Sequence, residues 1–247
     1  GVTTSGEATA SVANTFGYNY KWENILTYNF TVAEDHEFTL TGVSTWNHNR
    51  QEYSYSSSDN LTANEYLWHN LGTGQNQQAG SSYTMSKGIG FVGRVNYSYL
   101  GKYLASVSVR HDASSRLAEG NRWDTFPAFS LGWRISEEKL MEGTREWLDN
   151  LKLRGGWGVT GTASISAYQT QANLAQSYRI LGNQTLVSYN YPQQIVDPNL
   201  GWEKSYNTNI GIDAGFFGGR LNVTADYYFT KTKDIIWTKL VPVTNCG

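Results

Sequence analysis

Little in this chain would staple it, span a bilayer as a helix, or hold nucleic acid. Its one cysteine, Cys246, excludes a disulfide within the chain and a thiolate metal cluster. No stretch approaches the eighteen or so consecutive apolar residues of a transmembrane helix, although the much weaker per-segment signal of a membrane barrel remains allowed. The formal charge is only −2, with both signs mixed along the chain, so there is no basic footprint for DNA or RNA. The four histidines, His36, His48, His69 and His111, are dispersed without zinc-site spacing, and loop solvation accounts for them. The glycine run from Gly88 continues as a strand with no helix behind it, so it is no dinucleotide loop. No catalytic arrangement, metal site or cofactor is expected. The chain begins at Gly1 without a basic or apolar leader pattern, and any export signal is expected to lie outside these residues.

What is present is aromatic and alternating. Proline is scarce (4 of 247) while glycine reaches 25, aromatics make up 14% and mean hydropathy is −0.48, a combination suited to a β protein rich in Tyr and Trp. From Ile89 to His111, Phe91, Val95, Tyr97 and Tyr99 fall on one parity and Arg94, Asn96 and Ser98 on the other. Strand side chains alternate between faces, so such a sheet separates two environments. The same division recurs in about eight to ten segments, including 24–32, 37–47, 87–99, 102–112, 123–135, 151–160, 202–216 and 220–230. Short turns are expected at 33–36, 100–101 and 217–219, and long polar loops at 48–86, 113–122 and 161–201. Alternating connection lengths fit an antiparallel up-and-down meander with one tight-turn rim and one loop rim. Residues 136–150, on the tight-turn rim, are expected to hold one or two short helices, with Ser136 and Thr144 as caps and Gly143 ending a turn.

The apolar faces carry Tyr and Trp near strand ends, among them Tyr99, Tyr103, Trp133, Trp157, Trp202 and Tyr227, as at a membrane interface. The polar faces carry Arg94, Arg110, Arg134, Arg154, Asp213 and Asp226, which suits a wet lumen. Strands of about 10–13 residues exceed the usual five or six and suffice to cross a bilayer at a tilt. Two other readings share the alternation. A self-contained eight-stranded outer-membrane barrel with an adhesin or structural role would pair its first and last strands. A soluble carbohydrate-binding β-sandwich would lay Phe91, Val95, Val107, Leu131 and Ile212 against a second sheet.

The phrases GRVNYSYLGKYLASVSVRHD (93–112), SSR (114–116), NRWDTFPAFSLGWRISEE (121–138), LKLRGGWGVTGTASISAYQ (151–169), DPNLGWEKSYNTNIGID (197–213) and RLNVTADYYFTKTKDII (220–236) closely resemble the barrel of SusC/RagA-type TonB-dependent outer-membrane transporters. The resemblance implies an all-β fold: an antiparallel up-and-down transmembrane barrel, seen in part, about 8–10 strands of about 22. It implies one barrel domain over residues 1–247, without the plug and TonB box of the family, as an internal stretch of a longer transporter. It further implies import of oligosaccharides or peptides across the bacterial outer membrane, within outer-membrane lipid. The implied partners are a SusD-like surface lipoprotein and, through regions not in this chain, TonB.

Aromatics in the long polar stretches are the candidate ligand contacts, because flat rings stack on the C–H faces of sugars while Asn, Gln and Asp meet their hydroxyls. The candidates are Tyr53, Tyr55 and Trp68 from 48–86, with Tyr66 beside them, and Tyr168, Tyr178, Tyr189 and Tyr191 from 161–201. Asp112, Ser115 and Arg116 read as a structural turn at the rim.

Overall fold

The computed structural model describes residues 8–61, 64–171, 174–181, 185–192 and 196–237. Ten strands occur among them: β1 (Ala10–Val32), β2 (His36–Asp59), β3 (Gln75–Tyr99), β4 (Tyr103–Ser114), β5 (Trp123–Arg134), β6 (Leu148–Thr162), β7 (Leu174–Leu181), β8 (Thr185–Pro192), β9 (Glu203–Phe216) and β10 (Leu221–Lys233). Eight form one antiparallel sheet in the order β1-β2-β3-β4-β5-β6-β9-β10, while β7 and β8 make a separate hairpin. Every neighbour in the large sheet is therefore the next strand in the chain, once that hairpin is set aside. This is the meander expected, and it is open. β1 and β10 end the order and do not pair among the described residues, which overturns the reading as a closed eight-stranded barrel.

The tight turns have a common backbone chemistry. Ala33 and Glu34, Leu100 and Gly101, and Phe217, Gly218 and Gly219 all have positive φ, from +50° to +77°. Left-handed pairs of this kind match the right-handed twist of the flanking strands. At 99–102 the Lys102 N–H donates to the Tyr99 carbonyl at 2.9 Å. Turn-side segments are also hydrogen-bonded to one another: Leu100 N–H to Asp35 C=O at 2.9 Å, Arg134 N–H to Lys102 C=O at 2.8 Å and Phe217 N–H to Trp147 C=O at 3.0 Å. Two short 3-10 helices, Ile135–Glu137 and Lys139–Thr144, stand where short helices were expected. Their caps differ from expectation. Ser136 lies inside the first without capping it, and Thr144 donates backward to the Met141 carbonyl at 2.8 Å.

Contacts divide the chain into two compact units, Gly1–Lys21 with Asn47–Lys87, and Trp22–Trp46 with Gly88–Gly247. The first unit holds parts of β1, β2 and β3 and a 3-10 segment, Asn64–Thr73. Here the expected loop 48–86 is corrected: most of it is strand, and β2 and β3 reach 24 and 25 residues. In this unit the Leu61 N–H donates to the Ala8 carbonyl at 3.2 Å, and the fully buried Ser58 Oγ donates to the Gln75 carbonyl at 3.0 Å.

In the second unit the register fixes two faces, shifting only where β6 begins, between Leu148 and Asn150. On one, Val95, Val107, Phe129 and Trp157 lie directly opposite one another across β3 to β6, and Leu153, Ile212 and Ala225 across β6, β9 and β10. This face is not covered. Phe91, Val95, Val107, Leu131 and Ile212 remain 44%, 42%, 55%, 62% and 42% exposed, which removes the sandwich reading, since a second sheet would bury them. The few buried apolar side chains, Leu117, Ala118, Phe126, Leu148, Val159 and Ile165, are mostly on the loop side.

Candidate functional site

The opposite face is polar, and all six charged residues expected on it share it. Arg94 lies opposite Ser108, Arg110 opposite Val92, Arg134 opposite Lys152, Arg154 opposite Gly211, Asp213 between Lys152 and Thr224, and Asp226 opposite Gly211. Arg154 is the centre of the strongest network. Its Nε donates to Asp213 Oδ2 at 3.1 Å, its Nη2 lies 2.7 Å from Asp226 Oδ1, and Asn209 Oδ1 accepts from Nη1 at 3.4 Å. Three strands are thereby tied side chain to side chain. Gly211 makes this possible, because a Cβ there would lie 2.6 Å from Arg154 Cζ. Planar forked donors between carboxylates give bonds stronger than neutral ones.

A second pair, Arg110 Nε to Asp112 Oδ2 at 2.5 Å, lies over Gly90. The polar face opens beside the Arg154 network into a hollow of about 420 Å³ lined by Asn96, Ser106, Ser130, Gly132, Gly156 and Asn209. Among the described residues, no group of three or more His, Cys, Asp or Glu side chains gathers where one metal ion could be held.

The loop side is built, not loose. Three connections converge there: Ala118 N–H donates to the Leu200 carbonyl at 3.1 Å, Asn121 Nδ2 to the Asn199 carbonyl at 2.7 Å, and Thr170 Oγ1 to the Arg116 carbonyl at 3.3 Å. Trp202 meets Phe126 edge to face at 5.3 Å, and its Nε1 donates to the Arg122 carbonyl at 3.0 Å. Trp202 was expected at a membrane interface, and this is a correction. It lies just before β9 and belongs to the rim packing, with its one donor satisfied. Gly161 is required beside it, since any Cβ would run into the Phe126 ring. The turn expected at Ser115 and Arg116 is likewise structural, held by the Arg116 N–H to Ser114 Oγ bond at 3.3 Å.

On the turn side Glu138 gathers an aromatic row. Tyr99, Tyr103 and Trp133 stack with centroids 6.1 and 6.4 Å apart, Tyr103 Oη donates to Glu138 Oε1 at 2.6 Å, and Trp133 Nε1 donates to the same oxygen at 3.2 Å. These bonds, with Lys102 Nζ 3.9 Å away, hold the Glu138 carboxyl below its ordinary range against partial burial.

The candidate ligand aromatics are dispersed. Tyr53 and Tyr55 were expected in a loop and lie instead within β2, their rings 6.0 Å apart, with Tyr55 packed over Gly80. Trp68 is half exposed in the 3-10 segment and stacks on His69 at 4.0 Å. Tyr168 is half-buried in a turn with φ +66°. Tyr178, Tyr189 and Tyr191 belong to the β7–β8 hairpin, where Ser177 pairs with Tyr189 and Ala175 with Tyr191; their side chains, and that of Tyr66, lie outside the described residues.

Sequence reasoning missed Phe16, Tyr18 and Tyr20, exposed on one parity of β1, where His48 stacks against Tyr18 and Tyr20 at 5.9 and 4.9 Å. Their strict alternation was the available signal.

Comparison with known proteins agrees with this geometry. The family model described as TonB dependent receptor-like, beta-barrel, matches residues 2–247. TonB-dependent receptor P3 of Formosa agariphila is 31% identical over 98% of this chain and 24% of its own length. TonB-dependent receptor SusC of Bacteroides thetaiotaomicron is 39% identical over 63% of this chain and 16% of its own. The chain thus spans about a quarter of the length of P3. In fold it is similar to a chain of the RagAB peptide transporter, with a TM-score of 0.84 and 22% identity over 96% of this chain and 26% of that one. The chain belongs to the TonB-dependent receptor β-barrel family, and its eight-stranded sheet is an open arc of such a barrel.

Proposed function

We propose that these residues form part of the single barrel domain of a larger outer-membrane transporter, which imports oligosaccharides or peptides with energy from TonB and with a SusD-like surface lipoprotein. The observation that carries the reading is the two-faced sheet within this family: an uncovered apolar face suited to lipid, and a polar face tied by Arg154, Asp213 and Asp226 suited to a wet lumen. An open edge in hydrocarbon would leave unsatisfied backbone groups at several kcal/mol each, so both edges of this sheet would be closed by further strands in the whole barrel.

Its contribution is wall, lumen lining and loop-side platform. Arg94, Arg110 and Arg134 join the network residues in lining the lumen. Ligand contact falls to Tyr53, Tyr55, Trp68, Tyr168, Tyr178, Tyr189 and Tyr191. A partner lipoprotein and a peptide cargo have support in the similarity to SusC and the RagAB peptide transporter, and an oligosaccharide cargo in the exposed aromatics.

The test is uptake by the intact transporter in its own outer membrane. Labelled oligosaccharides and peptides are offered to cells with and without TonB, and the lipoprotein is sought by co-purification. One cargo class is expected to accumulate only when TonB is present, with Trp68→Ala lowering its affinity. TonB-independent passage, or accumulation of neither class, contradicts the reading.

A further inference from the structure

The apolar face is not uniformly filled, and its register shows where. Tyr99, Tyr103, Trp133 and Leu153 form one row across β3 to β6, and Val95, Val107, Phe129 and Trp157 form another. The row between them runs Tyr97, Ala105, Leu131, Gly155, Ile210. Ala105 and Gly155 are the dips, and they open a groove of about 740 Å³ walled by Tyr103, Trp133, Leu131, Leu153 and Ile210. From β3 to β9 it crosses four interstrand spacings, about 19 Å. Gly155 is not needed for backbone packing, since a Cβ there would meet only the Asn209 carbonyl, at 3.8 Å.

The chemistry of the groove selects its occupant. Apart from the Arg154 guanidinium, the side chains that line it present three polar atoms: Tyr97 Oη, paired with His36 Nδ1 at 2.7 Å, and Tyr103 Oη and Trp133 Nε1, both committed to Glu138 Oε1. Arg154 is itself spent on Asp213, Asp226 and Asn209. A docked polypeptide would find nothing for its own N–H and C=O groups, whereas a hydrocarbon chain has none to satisfy. Charge of both signs stands beside its turn-side wall: Lys102 Nζ and Glu138 Oε2 form a loose pair at 3.9 Å, and Glu138 also holds the wall residues Tyr103 and Trp133. A phosphate beside the ammonium and an ammonium beside the carboxylate would complete both.

We propose that this groove seats one acyl chain of a zwitterionic glycerophospholipid whose headgroup meets Lys102 and Glu138 on the turn side. The proposal rests on the reading that this face meets the membrane. It adds a defined lipid site to what is otherwise a uniform band.

The test uses the intact transporter, extracted from its native outer membrane in mild detergent and weighed by native mass spectrometry. One phospholipid mass per protein is expected to survive extraction. Ala105→Leu and Gly155→Leu, which fill the dips, are expected to lower the lipid-bearing fraction at least fivefold, and Lys102→Gln about threefold. Val223→Leu, on the same face at β10, leaves it unchanged. Heat-modifiable gel mobility shows that each variant is folded. No retained phospholipid, equal retention in the filled variants, or a doubled protein mass in its place overturns the seat. Absence of the folded protein from the outer-membrane fraction sinks the membrane reading instead, so the two failures are distinguishable.

Discussion

The two rims of the sheet are built on opposite principles. The turn side is local: three tight turns with positive φ, each closed within a few residues and tied to a neighbouring turn-side segment by a single backbone hydrogen bond. The loop side is non-local: Phe126, Trp202, Ala118, Leu200, Asn121 and Asn199 come together from segments up to about eighty residues apart. The difference shows where this chain keeps its packed core. A sheet whose apolar face is uncovered has no interior of its own, so buried side chains gather where the strands end and the connections fold over one another. It follows that the loop side responds to volume and the turn side to backbone conformation.

The sharpest way to break this contrast is Leu117→Ala. Leu117 is fully buried, and truncation of a buried leucine costs about 2–5 kcal/mol. Hydrogen exchange in the intact protein should accelerate over 115–122 and 196–202 while β4 and β5 stay protected. Uniform acceleration of the whole sheet would show that the loop side is not a separate packing unit. Gly161→Val comes next: overfilling against Phe126 should cost about 1–3 kcal/mol, read as earlier proteolytic cleavage in the same connections.

On the turn side the expected effects are smaller. Gly101→Ala places a Cβ at φ +66° in otherwise open space, so it pays only the left-handed conformation, about 1–2 kcal/mol, seen as slower refolding without change in loop-side exchange. Smallest is a pH effect at Glu138. Its folded carboxyl titrates below its unfolded value, so its contribution is complete above the unfolded value and is lost as pH falls through the folded one. Trp133 fluorescence should change over that acidic window and be flat in Glu138→Gln. A window shifted toward neutrality would contradict the bonds drawn to Glu138.

How much of this was legible in the sequence follows the same divide. The turns at 33–36, 100–101 and 217–219 and the faces of β4, β5, β9 and β10 could be read directly, since alternation is strong when one face is apolar and the other polar. β2 beyond Trp46 and the first half of β3 could not. In the segments HNRQEYSYSSSD (48–59) and QNQQAGSSYTMSK (75–87) both parities are largely polar, so the period of two carries no hydropathy contrast and strand reads as loop. The same misreading put Tyr53 and Tyr55 in a loop. Trp202 was misplaced for another reason. Its parity suits the apolar face, but a long-range partner, Phe126, captures it, and no local pattern encodes a contact seventy-six residues away. The Arg154 network shows the favourable case: parity placed Arg154, Asp213 and Asp226 on one face, and register brought them into contact.

In the proposed barrel, one face of this sheet meets hydrocarbon and the other an aqueous lumen. Spin labels placed singly at positions 128–133 of the intact transporter in its membrane, with Cys246 replaced by serine, test it most directly. A period of two is expected along β5, with oxygen accessibility peaking at Phe129, Leu131 and Trp133 and a polar nickel reagent reaching Ala128, Ser130 and Gly132. The opposite phase, or no alternation, would contradict it.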